Sequence, residues 1–152
     1  MMSRPTTVQL VNAIRENLSA AILPAIDDPG QRKLLAMIDH LLQTIAVRAE
    51  HEIDWMVTHN RAVVALAQDV VEAGSAPEPV IAALARYREN HSTSLAAREV
   101  TANYALAAEV LAAMLEASIS DAGEFGGAAR ELLQRDVEHG VQIVGEFELV
   151  PP

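Results

Sequence analysis

The sequence predicts an all-α fold, an antiparallel bundle of about five helices built on one long helix, and three observations carry that reading. Apolar residues recur at steps of three and four over most of the chain, which lays them along one side of a 3.6-residue helix. No stretch alternates apolar and polar residues at the two-residue period of a half-covered strand. Proline, glycine and capping side chains fall mostly between the periodic segments, where helices should start and stop.

Behind Pro5, Thr6 and Gln9 have the spacing of a capping box, and Leu10, Ile14, Leu18 and Ile22 follow as the apolar series of a first helix. That helix should end near Leu23, at Pro24. Asp28, Pro29 and Gln31 then supply a capping carboxylate, a first-turn proline and a glutamine three residues past the cap. The long helix, about 29 to 73, starts there, with no proline after Pro29 and no glycine after Gly30. Leu34, Ile38, Leu41, Ile45, Ala49, Ile53, Met56, Val63, Ala67 and Val70 form its expected inner stripe. At 1.5 Å per residue it spans roughly 65 Å, more than one short partner can cover, so the other segments should pack along it.

Gly74 can adopt a left-handed cap, and Ser75, Ala76, Pro77, Glu78 and Pro79 form a breaker cluster after it. A short helix from about Pro79 to Asn90 should turn Ile81, Leu84 and Tyr87 inward and act as a crossover or lid. A turn rich in capping side chains, His91 to Ser94, precedes a fourth helix from about Leu95 to Ile119. Its stripe is Val100, Tyr104, Ala107, Leu111, Met114 and Ser118, with Ala108, Ala112 and Ala113 alongside, a composition that allows close helix approach. Asp121 and Gly123 mark its end. Glu124 to Glu148 reads as a fifth helix with Leu133, Val137, Gly140 and Val144 in register, weakened by Gly126, Gly127, Gly140 and Gly145 at up to roughly 1 kcal/mol each. Pro151 and Pro152 should fray.

At 152 residues and 16.3 kDa the chain is expected to be a single helical domain, 1–152, large enough for a core without staples. Hydrophobic residues make up 51% but aromatics only 3%, so that core must be aliphatic and alanine-rich. A net charge of -10 opposes phosphate backbones and anionic membranes; neither nucleic acid nor membrane is an expected partner. Absence of cysteine removes disulfides, thiolate nucleophiles and Cys-ligated clusters. Met1 to Thr7 lacks a signal-peptide core, and Leu106 to Leu115, the most apolar run, is interrupted by Glu109. A cytoplasmic protein is therefore expected.

The middle of the long helix holds the main conflict of pattern. A strict heptad continued from Ile38, Leu41 and Ile45 would carry Arg48, Glu52, Trp55 and His59 to the seam, whereas a stutter through Ala49 to Ile53 and Met56 keeps the seam apolar. The stutter leaves Arg48, Glu52, Trp55 and His59 on one flank and puts Asn60 on the stripe itself. Two readings of that flank stand side by side. In one, Arg48 and Glu52 are an i, i+4 pair at the core edge, Trp55 covers its neighbours and His59 is solvated. In the other, Glu52 or His59 is half-buried in a pocket and binds a ligand or moves a proton. The second needs a partner helix, and Asp136 and His139, beside the stripe of the fifth helix, are the candidates.

No metal or cofactor is implied. A di-iron bundle needs two Glu-x-x-His pairs; Asp136-x-x-His139 is the nearest approach, and His40 and His51 lie about 16 Å apart along the helix, too far to share an ion. Asp39-His40 reverses the dyad of metal phosphohydrolases, and the paired acidic motifs of all-α nucleotide pyrophosphohydrolases are missing. Gly123, Gly126 and Gly127 follow no strand, so they make no phosphate loop. Ser92 and Ser94 look like caps rather than nucleophiles. No catalytic residue is singled out.

Arg4-Pro5-Thr6, Leu23-Pro24 and the run from Arg48 to Met56 together resemble small uncharacterised helical domains of bacteria. Those domains accompany aminoglycoside-phosphotransferase-like and acyl-CoA dehydrogenase-like proteins. The resemblance implies a domain that serves a neighbouring enzyme and carries no known activity of its own. The expected function is thus a non-catalytic accessory or protein-interaction module, homodimeric because part of a long apolar stripe would otherwise stay uncovered; the alternative is a ligand-binding or hydrolytic bundle around Glu52 and His59.

Overall fold

The computed structural model describes residues 4–120 and 125–144 and is all-α, with no strand among the described residues. In chain order α1 is Thr7–Asn17, continued by a π turn, Leu18–Ile22, and a 3-10 turn, Leu23–Ala25; α2 is Pro29–Glu72, α3 Glu78–Asn90, α4 Ala97–Ser120 and α5 Phe125–Val144. The ends expected at Asp121, Gly123 and Pro151 to Pro152 lie outside the described residues, as does the stretch of the fifth helix beyond Val144. Contacts divide the described residues into two compact units, one of residues 4–52 with 141–144, the other within Ile53–Gly140.

In the first unit the capping box forms as expected. Thr6 Oγ1 accepts from the Gln9 amide at 3.2 Å, and the Thr6 amide donates to Gln9 Oε1 at 2.9 Å. Pro24 ends the helical stretch through the short 3-10 turn. Asp28 Oδ1 then accepts from the Gln31 amide at 2.8 Å to start α2, and Arg32 Nε donates to the Ile26 carbonyl at 2.7 Å, bracing the turn between the helices. α2 comes back beside α1, and the Arg15 guanidinium grips Asp39 with two bonds of 2.8 and 3.0 Å.

The inner stripe of this unit is one residue away from the expected one. Leu35 and Ala46 are buried on α2 and Val11 on α1, whereas Leu34 (57%), Ile38 (39%), Leu41 (59%) and Ile45 (47%) stay exposed. The physical reason is the helix period. Successive residues are 100° apart, so once Arg15 engages Asp39 and Leu35 turns inward, the 34/38/41/45 row is carried round to the side. Leu10 and Ile14, each one residue before Val11 and Arg15, are likewise about half exposed.

The second unit has an alanine-rich core drawn from four helices: Val63 and Ala67 of α2, Val80 and Leu84 of α3, Ala107, Val110 and Met114 of α4, and Ala129 of α5. Fully buried alanines let helix backbones approach closely. Gly74, at φ 72°, closes α2, with its amide donating to Val71 and the Ser75 amide to Val70. The turn before α4 is held by Asn103, whose side chain accepts from the Ser92 amide at 2.8 Å and donates to the Ser92 carbonyl at 2.7 Å. At the start of α5, Gly126 sits so close to α4 that a Cβ there would meet Ser118 Cβ at 2.8 Å.

The α4 stripe lies where the sequence puts it, and on α3 Leu84 and Tyr87 turn inward as expected, with Val80 and Ala83 beside them while Ile81 is 41% exposed; α5, by contrast, is rotated by about one residue. Ala129 and Leu132 pack inward while Leu133 and Val137 are exposed. Packing favours the rows that include Ala83 and Ala129, because a small residue admits the neighbouring helix and a larger one would hold it off. α4 also departs from expectation in another respect: Ala97–Ile119 is long and apolar enough, at mean hydropathy 1.2, to cross a membrane by length and composition alone. One side of the helix, with Val100, Ala107, Val110, Leu111 and Met114, is core.

Candidate functional site

The rotation of α5 has a chemical result. With Ala129 and Leu132 inward, the positions that continue their row at steps of four and three are Asp136 and His139. Both therefore lie on the packed side of the helix, against the α2 residues Trp55 and His59. The rings of Trp55 and His139 stack with centroids 4.7 Å apart and planes 7° from parallel. His59 Nδ1 lies 3.9 Å from Asp136 Oδ1, beyond hydrogen-bond length but within strong Coulomb reach. α4 contributes Tyr104, whose hydroxyl donates a 2.5 Å bond to the same Asp136 oxygen and whose ring is tilted against His59 at 5.3 Å.

His59 is only 7% exposed, which contradicts the solvated histidine of the edge-of-core reading. Burial lowers its pKa below the ordinary histidine value; the Asp136 charge pulls it back up, and His139 adds to the lowering. At neutral pH it is thus a neutral imidazole. Tyr104 is pushed far above the ordinary phenol range, by burial first and by its bond to Asp136 second, so it stays a donor. Asn60, the next residue on α2, is 4% exposed, and its Oδ1 has no hydrogen-bond partner among the described residues. A neutral imidazole beside a carboxylate already engaged by a phenol can accept a proton or a hydrogen bond.

Of the residues singled out from sequence, then, Trp55, His59, Asp136 and His139 come together, and Asn60 is buried next to His59. Arg48 and Glu52 form a pair of their own in the first unit, 2.6 Å apart at i, i+4, as the edge-of-core reading had it. The sequence places Tyr104 in the apolar α4 stripe; its hydroxyl, which must find a partner when the ring is half-buried, is the signal for a polar neighbour. Among the described residues no group of three or more His, Asp or Glu is placed to hold a metal ion.

A second feature lies in the first unit. Between α1 and α2 runs a groove of about 730 Å³, lined by Leu18, Leu23 and Leu35 with Arg15, Arg32 and Asp39. Its polar part is the Arg15–Asp39 pair, where the guanidinium's hydrogen bonds hold the Asp39 carboxyl below the usual carboxylate range. Beside it lies the exposed apolar row of α2. No family model matches the chain, and no curated protein or solved structure matches it either.

Proposed function

We propose that this chain is a non-catalytic helical interaction module that pairs with a second copy of itself and, as a pair, serves a neighbouring enzyme in the bacterial cytoplasm. The observation that carries the proposal is the row Leu34, Ile38, Leu41 and Ile45, exposed at heptad spacing on a helix whose next row already packs. Leu10 and Ile14 extend it. In an antiparallel helix pair, positions one residue before the contact row on each helix fall on the same side, so the α1 and α2 rows form one continuous face.

The row supplies roughly two thirds of the apolar surface that each partner brings to a standard interface. A fully buried Leu or Ile corresponds to roughly 60–120 Å² of apolar surface at about 25 cal/mol per Å². Leu10, Ile14, Leu34, Met37, Ile38, Leu41 and Ile45, all about half exposed, together offer on the order of 300 Å² per copy. A standard interface contributes roughly 450 Å² of apolar surface per partner. Two such hairpins joined face to face make a four-helix bundle, the usual way for a pair of helices to cover an open stripe.

Sedimentation velocity at micromolar concentration tests this directly. The protein should run as a dimer, and the Ile38→Glu, Leu41→Glu double variant as a monomer with its helical circular dichroism retained. A monomer at all concentrations up to about 100 μM would sink the proposal, since the affinity would then be too weak to act in a cell.

The second reading, a ligand-binding or hydrolytic bundle, draws its support from buried His59 and from the unsatisfied Asn60 Oδ1 beside it. Its centre moves from Glu52 to Tyr104, His59 and Asp136. Native mass spectrometry separates the two readings: the module leaves the instrument as a ligand-free pair, the binding protein with extra mass that is lost on denaturation.

A further inference from the structure

We infer that α5 is held against α2 and α4 by a pH-sensitive latch of His59, Tyr104, Asp136 and His139, and that mild acid releases α5 while α2, α3 and α4 stay packed. The inference stands apart from the pairing proposed above, since every residue it uses lies in the second unit. Burial along α5 is thin. Among its described residues Gly126, Ala129 and Leu132 are buried and Phe125 is partly covered, so Leu132 is the one large side chain fully removed from water. α4, by comparison, buries Val100, Val110, Leu111 and Met114. Gly126, Gly127 and Gly140 also favour the helix less than alanine would. An element with so little buried apolar surface is the one that opens first.

The latch adds polar and aromatic contacts further along α5. Asp136 Oδ1 accepts the Tyr104 hydroxyl at 2.5 Å and lies 3.9 Å from His59 Nδ1, and His139 stacks on Trp55 at 4.7 Å. Two charged or titratable groups of α5, Asp136 and His139, therefore face His59, and α4 faces it with the neutral ring of Tyr104. With α5 in place, a proton on His59 would sit at 7% exposure, drawn by Asp136 and opposed by His139. Burial outweighs the attraction, so the docked form takes up that proton less readily than an open imidazole does. Once α5 lifts away, His59 loses this cover and titrates near the ordinary value of about 6.5. Below that pH the released form binds the proton first, so acid shifts the balance towards release. One proton can shift it by at most about tenfold between pH 7.5 and 5.5.

Hydrogen exchange read by mass spectrometry on the full chain tests this, with rates corrected for the intrinsic pH dependence of amide exchange. Protection of α5 from Ala128 to Gly140 should fall from pH 7.5 to 5.5 relative to that of α3 and α4, by up to about tenfold, and His59→Gln should abolish the relative fall. Equal loss of protection in all three helices means global unfolding and overturns the inference. Protection of α5 that holds or rises overturns it as well, since attraction to Asp136 then outweighs burial. A relative fall that persists in His59→Gln does the same, because another group then drives the release. Asp136→Asn gives a check that keeps the imidazole: the opposing charge is gone, while the introduced amide oxygen can still accept from Tyr104. The relative fall should then move closer to tenfold, and a smaller fall than in the wild type counts against the latch.

Discussion

Acidification offers a sharp test of the His59 environment, because a buried imidazole held below its ordinary pKa links stability to pH. In the folded protein His59 is screened from water and its pKa is lowered by burial, with His139 lowering it further and Asp136 opposing. In the unfolded chain it titrates near 6.5. Below that pH the unfolded chain takes up the proton first, so the stability that neutral His59 contributes is present above about pH 6.5 and is lost as pH falls towards the folded pKa. Each pH unit of that window is worth at most about 1.4 kcal/mol. Between pH 7.5 and 5.5 the loss should therefore be at most about 1.4 kcal/mol, or up to roughly 4 °C in Tm for a chain of this length.

The 21 acidic side chains also titrate on the way down, so the wild type alone cannot isolate the effect. Comparison with His59→Gln can, because everything else is common to both proteins. The protein has a single tryptophan, Trp55, stacked on His139 within the same cluster, so its fluorescence in urea titrations follows the unit that contains His59. The stability gap between wild type and His59→Gln should shrink from pH 7.5 to 5.5, by at most about 1.4 kcal/mol. A gap that stays constant, or that widens because attraction to Asp136 outweighs burial, refutes the reasoning. Tyr104 does not disturb the comparison, since its phenol stays protonated throughout this range.

Three other changes test other parts of the structure. Gly126→Ala should cost about 1–3 kcal/mol, because its Cβ would press on Ser118 Cβ, while Gly127→Ala and Gly140→Ala, which meet nothing within 4 Å, should gain about 0.5–1 kcal/mol each; thermal melts that reverse this order contradict the α4–α5 packing. Asn103→Ala strips both Ser92 backbone groups of their partner and should cost about 2–3 kcal/mol, with faster hydrogen exchange at the Ser92 amide. Tyr104→Phe removes a charge-assisted bond to a carboxylate that water can partly reach (31% exposed), so a loss of about 1–2 kcal/mol is expected in urea titrations.

Helix identity was legible in the sequence because its signals are local. The capping box at Thr6, the cap at Asp28 with Pro29 behind it, the cap at Gly74 and the breaker cluster before α3 act through neighbours within a few residues, and each falls at or within a few residues of the observed boundary. Rotation of each helix about its axis was less legible. In α2 the rows 34/38/41/45 and 35/39/42/46 are both apolar enough to be an inner stripe, as are the rows through Leu132 and Leu133 in α5. Choosing between them takes the partner helix: Arg15 reaching Asp39, and Ala129 letting α5 approach the core.

The candidate site shows the same division. His59, Trp55, Asp136 and His139 could be named from sequence as polar residues near stripes, but whether they met depended on a one-residue rotation of α5. Arg48 and Glu52 belonged to the same flank by spacing and took each other instead, since an i, i+4 pair closes without any help from tertiary structure. Tyr104 escaped notice because its ring fits an apolar stripe as well as leucine would. Local hydrogen bonding and the 3.6-residue period thus determined from sequence alone that the described residues are helical, where α1, α2 and α3 begin and end to within a few residues, and which residue types could do chemistry. Side-chain packing between helices far apart in sequence decided which stripe turns inward, and with it both the His59–Asp136–Tyr104 cluster and the apolar row that α2 leaves open.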